Sequence, residues 1–196
     1  MHVIETVLPG LRVVETDVFG DERGFFLETW QAERYAALGL PGHFVQDNLS
    51  RSARGVLRGL HLQHPHAQGK LVYVIEGEVF DVAVDVRVGS PHFGRSASVV
   101  LSGANHRQLW IPPGFAHGFC VLSEYALVAY KCTTPYRPGS ELGVLWNDPD
   151  LAIAWPRADV VVAPRDQGFA RLRDIPKAAL PTYAEYADVV AATEQR

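Results

Sequence analysis

The sequence predicts a mainly β protein with antiparallel strands, a sandwich or a barrel, on three observations. Short apolar runs fill the middle of the chain, Gly, Pro and Asn interrupt them at close intervals, and few stretches carry helical spacing. Taken from the N-terminus, Asp21-Glu22-Arg23-Gly24 reads as a turn leading into Phe25-Phe26. Residues 30–38 have the pattern of a short helix stopped by Gly39. Gln46-Asp47-Asn48 reads as a turn, with a polar binding strip as the alternative. Strands are expected over 70–76, 78–86, 96–101, 107–111, 117–122 and 126–132. Within 78–86, Val82, Val84 and Val86 share one face and Asp81, Ala83 and Asp85 the other, the alternation of a half-buried strand. Glu76-Gly77 predicts a hairpin turn between the first two strands, while Val88-Gly89-Ser90-Pro91 and Pro112-Pro113-Gly114 interrupt the later ones. A second helix is expected over 183–193, where Thr182 and Glu185 have capping-box spacing.

At 196 residues, with 47% apolar and 20% charged residues and no repeat or linker, the chain suits one domain over 1–196 with a core at about 45–155. Its 18 Lys+Arg against 22 Asp+Glu leave a formal charge of −4, which provides no overall field for nucleic acid, so an anionic ligand needs a local cluster of cations. The two cysteines, Cys120 and Cys132, lie in apolar runs and suggest reduced core residues of a cytoplasmic protein. No run of about 18 apolar residues is present, and the N-terminal segment lacks a basic stretch followed by an apolar one. Neither membrane spanning nor secretion is expected.

Eight histidines raise the question of a metal, and spacing decides it. His64-Pro65-His66, then Gly77, then Pro112-Pro113-Gly114-Phe115-Ala116-His117 resemble the ligand pattern of a metal-binding cupin, a double-layered antiparallel jelly roll. Lys70, however, stands where that pattern has an anionic Glu, and an ammonium cannot coordinate a divalent cation. The expectation is a cupin-like barrel with no metal and no cofactor, His64 and His66 being loop residues. What remains is a base (His61), two cations (Arg58, Lys70) and an amide (Gln63), a set suited to an anionic intermediate. A histidine can accept a proton near neutrality, and a lysine near a carbonyl oxygen can stabilise the resulting enolate. Proton abstraction beside a carbonyl is the reaction class these residues suggest. Arg58 and His61 are three apart, so one pocket can use both only if Gly59 marks a bulge or twist.

Further segments in the same order and spacing resemble the dTDP-4-dehydrorhamnose 3,5-epimerase family, cupin-fold enzymes that act on a dTDP-4-keto-6-deoxy sugar. They are Asp21-Glu22-Arg23-Gly24, Phe44-Val45-Gln46-Asp47-Asn48, Arg58-Gly59-Leu60-His61, Gln68-Gly69-Lys70-Leu71, Gly77-Glu78-Val79-Phe80-Asp81-Val82, the run from Gln108 to Phe119, Tyr130-Lys131-Cys132-Thr133 and Trp146-Asn147-Asp148-Pro149. The resemblance implies a role for each matching position. His61 corresponds to the base that removes the C3 and C5 protons, Asp166 to its carboxylate partner, Tyr130 to the acid on the opposite face, and Lys70 to the cation at the enolate oxygen. Arg23 and Arg58 correspond to diphosphate ligands, and Glu28, Gln46, Asp47, Asn48, His117 and Glu141 to substrate-contacting positions. Tyr136 corresponds to the aromatic on which thymine stacks. Arg165 replaces the family's lysine, and Pro135 precedes Tyr136 where the family has another residue. The resemblance also implies a homodimer with exchanged N-terminal strands. On the residues alone, Tyr130 reads more readily as a core or rim tyrosine and Asp166 as an N-cap or turn residue. C3-only epimerisation, a metal cupin using His64, His66 and His117, and a binding module without turnover are the alternatives.

Overall fold

The computed structural model describes residues 1–186, whose regular structure is mostly strand. Four short strands come first: β1 (His2–Glu5), β2 (Arg12–Glu15), β3 (Val18–Asp21) and β4 (Gly24–Leu27), followed by the helix α1 (Ala32–Ala37). Eight strands make up the body: β5 (Gln46–Ala53), β6 (Val56–Gln63), β7 (Lys70–Glu76), β8 (Glu78–Asp85), β9 (Ser96–Ser102), β10 (Arg107–Ile111), β11 (Phe115–Val121) and β12 (Tyr125–Cys132). Two short strands, β13 (Glu141–Gly143) and β14 (Val161–Val162), and the helix α2 (Pro164–Gln167) come after them. One layer has the order β1-β2-β10-β7-β12-β5 and the other β13-β6-β11-β8-β9, with β14 alongside β6. Every ladder is antiparallel except that of β14. From β5 to β12 successive strands alternate between layers, as in a jelly roll, except that β8 and β9 pair as neighbours in one layer.

The inner faces of the two layers share one core, in which Val72, Val74 and Val128 from the first meet Val79, Ala83, Phe115, Phe119 and Val121 from the second. Each such Val or Phe side chain stabilises the fold by about 1.5–3 kcal/mol when removed from water. Strand β8 is buried on both faces rather than one. Val82, Val84 and Val86 are covered by Leu151, Leu172 and Leu180 from the C-terminal segment, which local alternation does not reveal. The first predicted helix is shorter, ending at Leu38-Gly39, where Gly39 takes a positive φ of 74°. Of the second, Ala184–Tyr186 is one 3-10 turn, and 187–193 lies outside the described residues. Its capping signal is used, since Glu185 Oε2 accepts the Thr182 backbone N–H at 2.6 Å.

Gly77 does not close a hairpin. It is a corner at which the chain leaves one layer for the other, because β7 pairs with β10 and β12 while β8 pairs with β9 and β11. At φ +83° a Cβ on this residue would overlap the Tyr125 carbonyl oxygen. Gly77→Ala is therefore expected to cost about 3 kcal/mol, combining left-handed backbone strain with overpacking. The shift in urea midpoint relative to wild type measures it.

Candidate active site

Strand alternation places the first group of site residues. Tyr130 lies opposite Asn48 and Val72, and Cys132 opposite Gln46 and Lys70, so these polar side chains share the inner face with the core residue Val72. From the facing layer, His61 lies opposite His117 and Gly143, and Gln63 opposite Glu141. A bulge brings Arg58 onto the same face. The register steps from His117↔His61 to Phe119↔Arg58, so Gly59 and Leu60 stand against Gly118 alone, and residues three apart point the same way. Glycine is required there, since a Cβ on Gly59 would come within 2.6 Å of the Gly118 Cα.

His61, Gln63, Gln68, Lys70, Tyr130, Tyr136 and Glu141 line a cavity of about 90 Å³. A second hollow of about 240 Å³ adjoins it, lined by Gln46, Asn48, Cys132 and the shared Gln68, Tyr130 and Tyr136. Asp166, 3% exposed in the first turn of α2, places Oδ1 2.9 Å from His61 Nε2, and its Oδ2 accepts the Gly59 N–H at 3.2 Å. When Nε2 donates to this carboxylate, Nδ1 is the ring nitrogen that keeps a lone pair. Glu141 Oε2 accepts from the Tyr136 hydroxyl and from Arg165 Nη1, each at 2.8 Å. Arg165 Nε also lies 3.4 Å from Asp166 Oδ1.

Burial dominates the electrostatics. It pushes the His61 pKa below its ordinary value, outweighing the upward pull of Asp166. It lowers Lys70 and raises Tyr130 in the same way, so the imidazole favours its neutral form and the phenol its protonated form. Burial would also raise Glu141, but the Tyr136 hydroxyl and Arg165 outweigh it and hold the carboxyl below its usual range.

Of the other residues named from the sequence, Asp47, Arg23, Glu28, His117 and Arg58 line neither hollow. Gln46-Asp47-Asn48 opens β5 instead of forming a turn, and Asp47, between two inward residues, faces outward and pairs with Lys131 at 2.9 Å. Arg23 sits at the tip of the β3–β4 hairpin, 89% exposed and paired with Asp21, while Glu28 pairs with Arg34 at 3.3 Å. His117 is buried with Nε2 2.9 Å from Asp81 Oδ1. Arg58 is exposed, its Nε donating to Ser52 Oγ at 2.9 Å. His64 is half-buried and His66 exposed in the loop after β6. No group of three or more His, Cys, Asp or Glu side chains among the described residues is arranged to hold a metal ion.

Three further residues line the hollows, Cys132, Gln63 and Gln68, of which the sequence singles out only Gln63 as a pocket residue. Cys132 is two residues beyond Tyr130, so alternation alone puts it on the same face, where Asn48 Nδ2 lies 3.6 Å from its sulfur. Gln63, two beyond His61, bridges loops: Oε1 accepts the Arg137 N–H at 2.7 Å, and Nε2 donates to the carbonyls of His66 at 2.5 Å and Pro135 at 3.2 Å. Gln68 donates to the Thr134 carbonyl at 2.8 Å and has no local sequence signal.

A family model described as dTDP-4-dehydrorhamnose 3,5-epimerase matches residues 5–174. A Pseudomonas aeruginosa protein named dTDP-4-dehydrorhamnose 3,5-epimerase is 55% identical over 160 residues, covering 81% of this chain and 88% of that protein. One of the same name from Neisseria gonorrhoeae is 49% identical over 92% of this chain, which spans about half (55%) of that relative's length. The crystal structure of a dTDP-6-deoxy-D-glucose-3,5-epimerase from Legionella pneumophila, in complex with dTDP-4-keto-L-rhamnose, superposes with a TM-score of 0.91. It is 54% identical, covering 93% of this chain and 98% of that one.

Proposed function

The chain belongs to the dTDP-4-dehydrorhamnose 3,5-epimerase family, and from that premise we propose that it inverts C3 and C5 of dTDP-4-keto-6-deoxy-D-glucose through enolates formed between His61 and Tyr130. His61 takes the proton beside the ketone, with Asp166 stabilising the imidazolium. The C–H electron pair moves into the enolate, whose oxygen Lys70 stabilises. Tyr130 then delivers a proton to the other face of the planar carbon, and solvent resets both groups. A single base returning its own proton would restore the starting configuration, so inversion needs both. One observation carries this reading: His61 and Tyr130 reach the same cavity from opposite layers, with Lys70 beside them.

Tyr136 is the platform for thymine and Arg58 a diphosphate ligand. Arg23 and Glu28 serve the site of a second copy in a homodimer. Supporting this, the hairpin that carries Arg23 exposes Phe19, Phe25 and Phe26, and a hollow of about 300 Å³ lies between it and the outer face of the first layer. Light scattering giving twice the chain mass supports the dimer, and a monomer at assay concentration removes it. The cytoplasm is the assigned compartment, consistent with two buried free cysteines. No helix among the described residues is long and apolar enough to cross a membrane.

Incubation with dTDP-4-keto-6-deoxy-D-glucose in heavy water tests the reaction, followed by NMR. Deuterium at both C3 and C5 is expected. Uptake at C3 alone would reduce the activity to 3-epimerisation, and binding without uptake would replace the enzyme by a binding module. The pH profile has a defined sign. His61 must be neutral, so kcat/KM falls as pH drops through a pKa below 6.5. Lys70 must be charged, so kcat/KM also falls as pH rises through a pKa below 10.5. A bell with those limbs is expected, and in Lys70→Met the alkaline limb set by this lysine should vanish from the residual rate.

A further inference from the structure

One short turn grips the imidazole twice. Asp166 holds Nε2, and three residues later Phe169 presents its ring to the imidazole edge-to-face, with centroids 5.8 Å apart and planes at 88°. The space for that ring comes from β13. Gly143 lies opposite His61, so a side chain at 143 would project from the same face as the imidazole. Gly143 has none, and the Phe169 ring takes its place: a Cβ there would overlap three ring carbons. The Arg165 guanidinium lies 5.8 Å from the centre of the same ring. The backbone beside it is tied down, since the Leu145 N–H donates to the Ala170 carbonyl at 2.9 Å.

We propose that Phe169 is a positioning residue for the base, holding the plane of the His61 ring and keeping water from that side of the His61–Asp166 pair, with Gly143 making room for it. A hydrogen bond at Nε2 fixes one atom of the ring but lets the ring pivot about that atom. An edge-on contact from a second direction removes the pivot, and proton transfer depends on such alignment. The charged and titratable groups facing His61 are Asp166 and Arg165 from α2, Glu141 from β13, His117 from β11, and Lys70 and Tyr130 from the opposite layer. Replacing Phe169 changes none of these charges, so any change in the titration of His61 reports altered burial or orientation.

The proposal deepens the epimerase reading and rests on it, and two measurements separate their failures. In Phe169→Ala, the NMR titration midpoint of the His61 ring should move up towards its ordinary value, because burial is what holds it down. The kcat for deuterium exchange should fall by roughly tenfold, with KM for the nucleotide sugar largely unchanged. Phe169→Tyr, which keeps the ring edge, should restore both, and Gly143→Ala, which displaces the ring, should reproduce the Phe169→Ala behaviour. An unmoved midpoint in Phe169→Ala overturns the proposal whether or not the wild type exchanges deuterium, and so does an unchanged kcat. Absence of exchange in the wild type would instead overturn the epimerase reading.

Discussion

His61→Ala is expected to lose deuterium exchange at both C3 and C5 by about 10²–10⁴-fold, the range general-base catalysis commonly supplies. Binding of the nucleotide should be largely retained, because it is assigned to other side chains, Arg58 and Tyr136. The imidazole faces the cavity from the bulged strand β6, and Asp166 supports it from 105 residues away in sequence. Asp166→Asn is expected to lose exchange as well, since an amide cannot stabilise the imidazolium as a carboxylate does. Exchange rates read by NMR, beside a dTDP titration by calorimetry, check both effects. Full exchange in His61→Ala would remove the assigned base.

Lys70→Met should have an effect of similar size, about 10²–10³-fold in kcat, because it deletes the charge that the proposal assigns to the enolate oxygen while keeping an unbranched chain of similar length. Its effect on stability should be opposite in sign. Burial lowers the Lys70 pKa, so near neutrality the folded protein holds an ammonium that its surroundings disfavour. A group whose folded pKa lies below its unfolded one makes stability rise with pH between the two values. Removing it removes that dependence and the cost of burying the charge. A variant nearly inactive yet more resistant to urea is expected, and a variant both inactive and less stable would mean that Lys70 serves the fold.

Much of this layout was legible because it follows from local alternation. Strands 70–76 and 107–111 were expected with the limits they have, each carrying apolar residues between clear breaks. Strand β5 was missed for a reason tied to the site. Its inward residues are Gln46, Asn48, Ser50 and Ser52, so a face lining a polar hollow carries no apolar alternation and resembles a turn. Gly77 was assigned a hairpin because a positive-φ glycine marks a hairpin and an interlayer corner alike, and only pairing distinguishes them. The bulge at Gly59 was anticipated as a condition for Arg58 and His61 to share a face, and the register has that step. Asp166 had no local signal. Its meeting with His61 is a long-range product of β14 and α2 packing against β6, which family resemblance anticipated and periodicity could not. Asp47 lies between two inward residues, so parity turns it outward, where it meets Lys131.

Tyr130→Phe in heavy water, with exchange and configuration followed in the same sample, tests inversion between His61 and Tyr130 most directly. With the phenol gone and the imidazole and ammonium in place, deuterium should still enter at C3 and C5 from the His61 side. The starting sugar should become labelled while the inverted product fails to accumulate. Inverted product forming at the wild-type rate would contradict the assignment of Tyr130 as the acid on the opposite face.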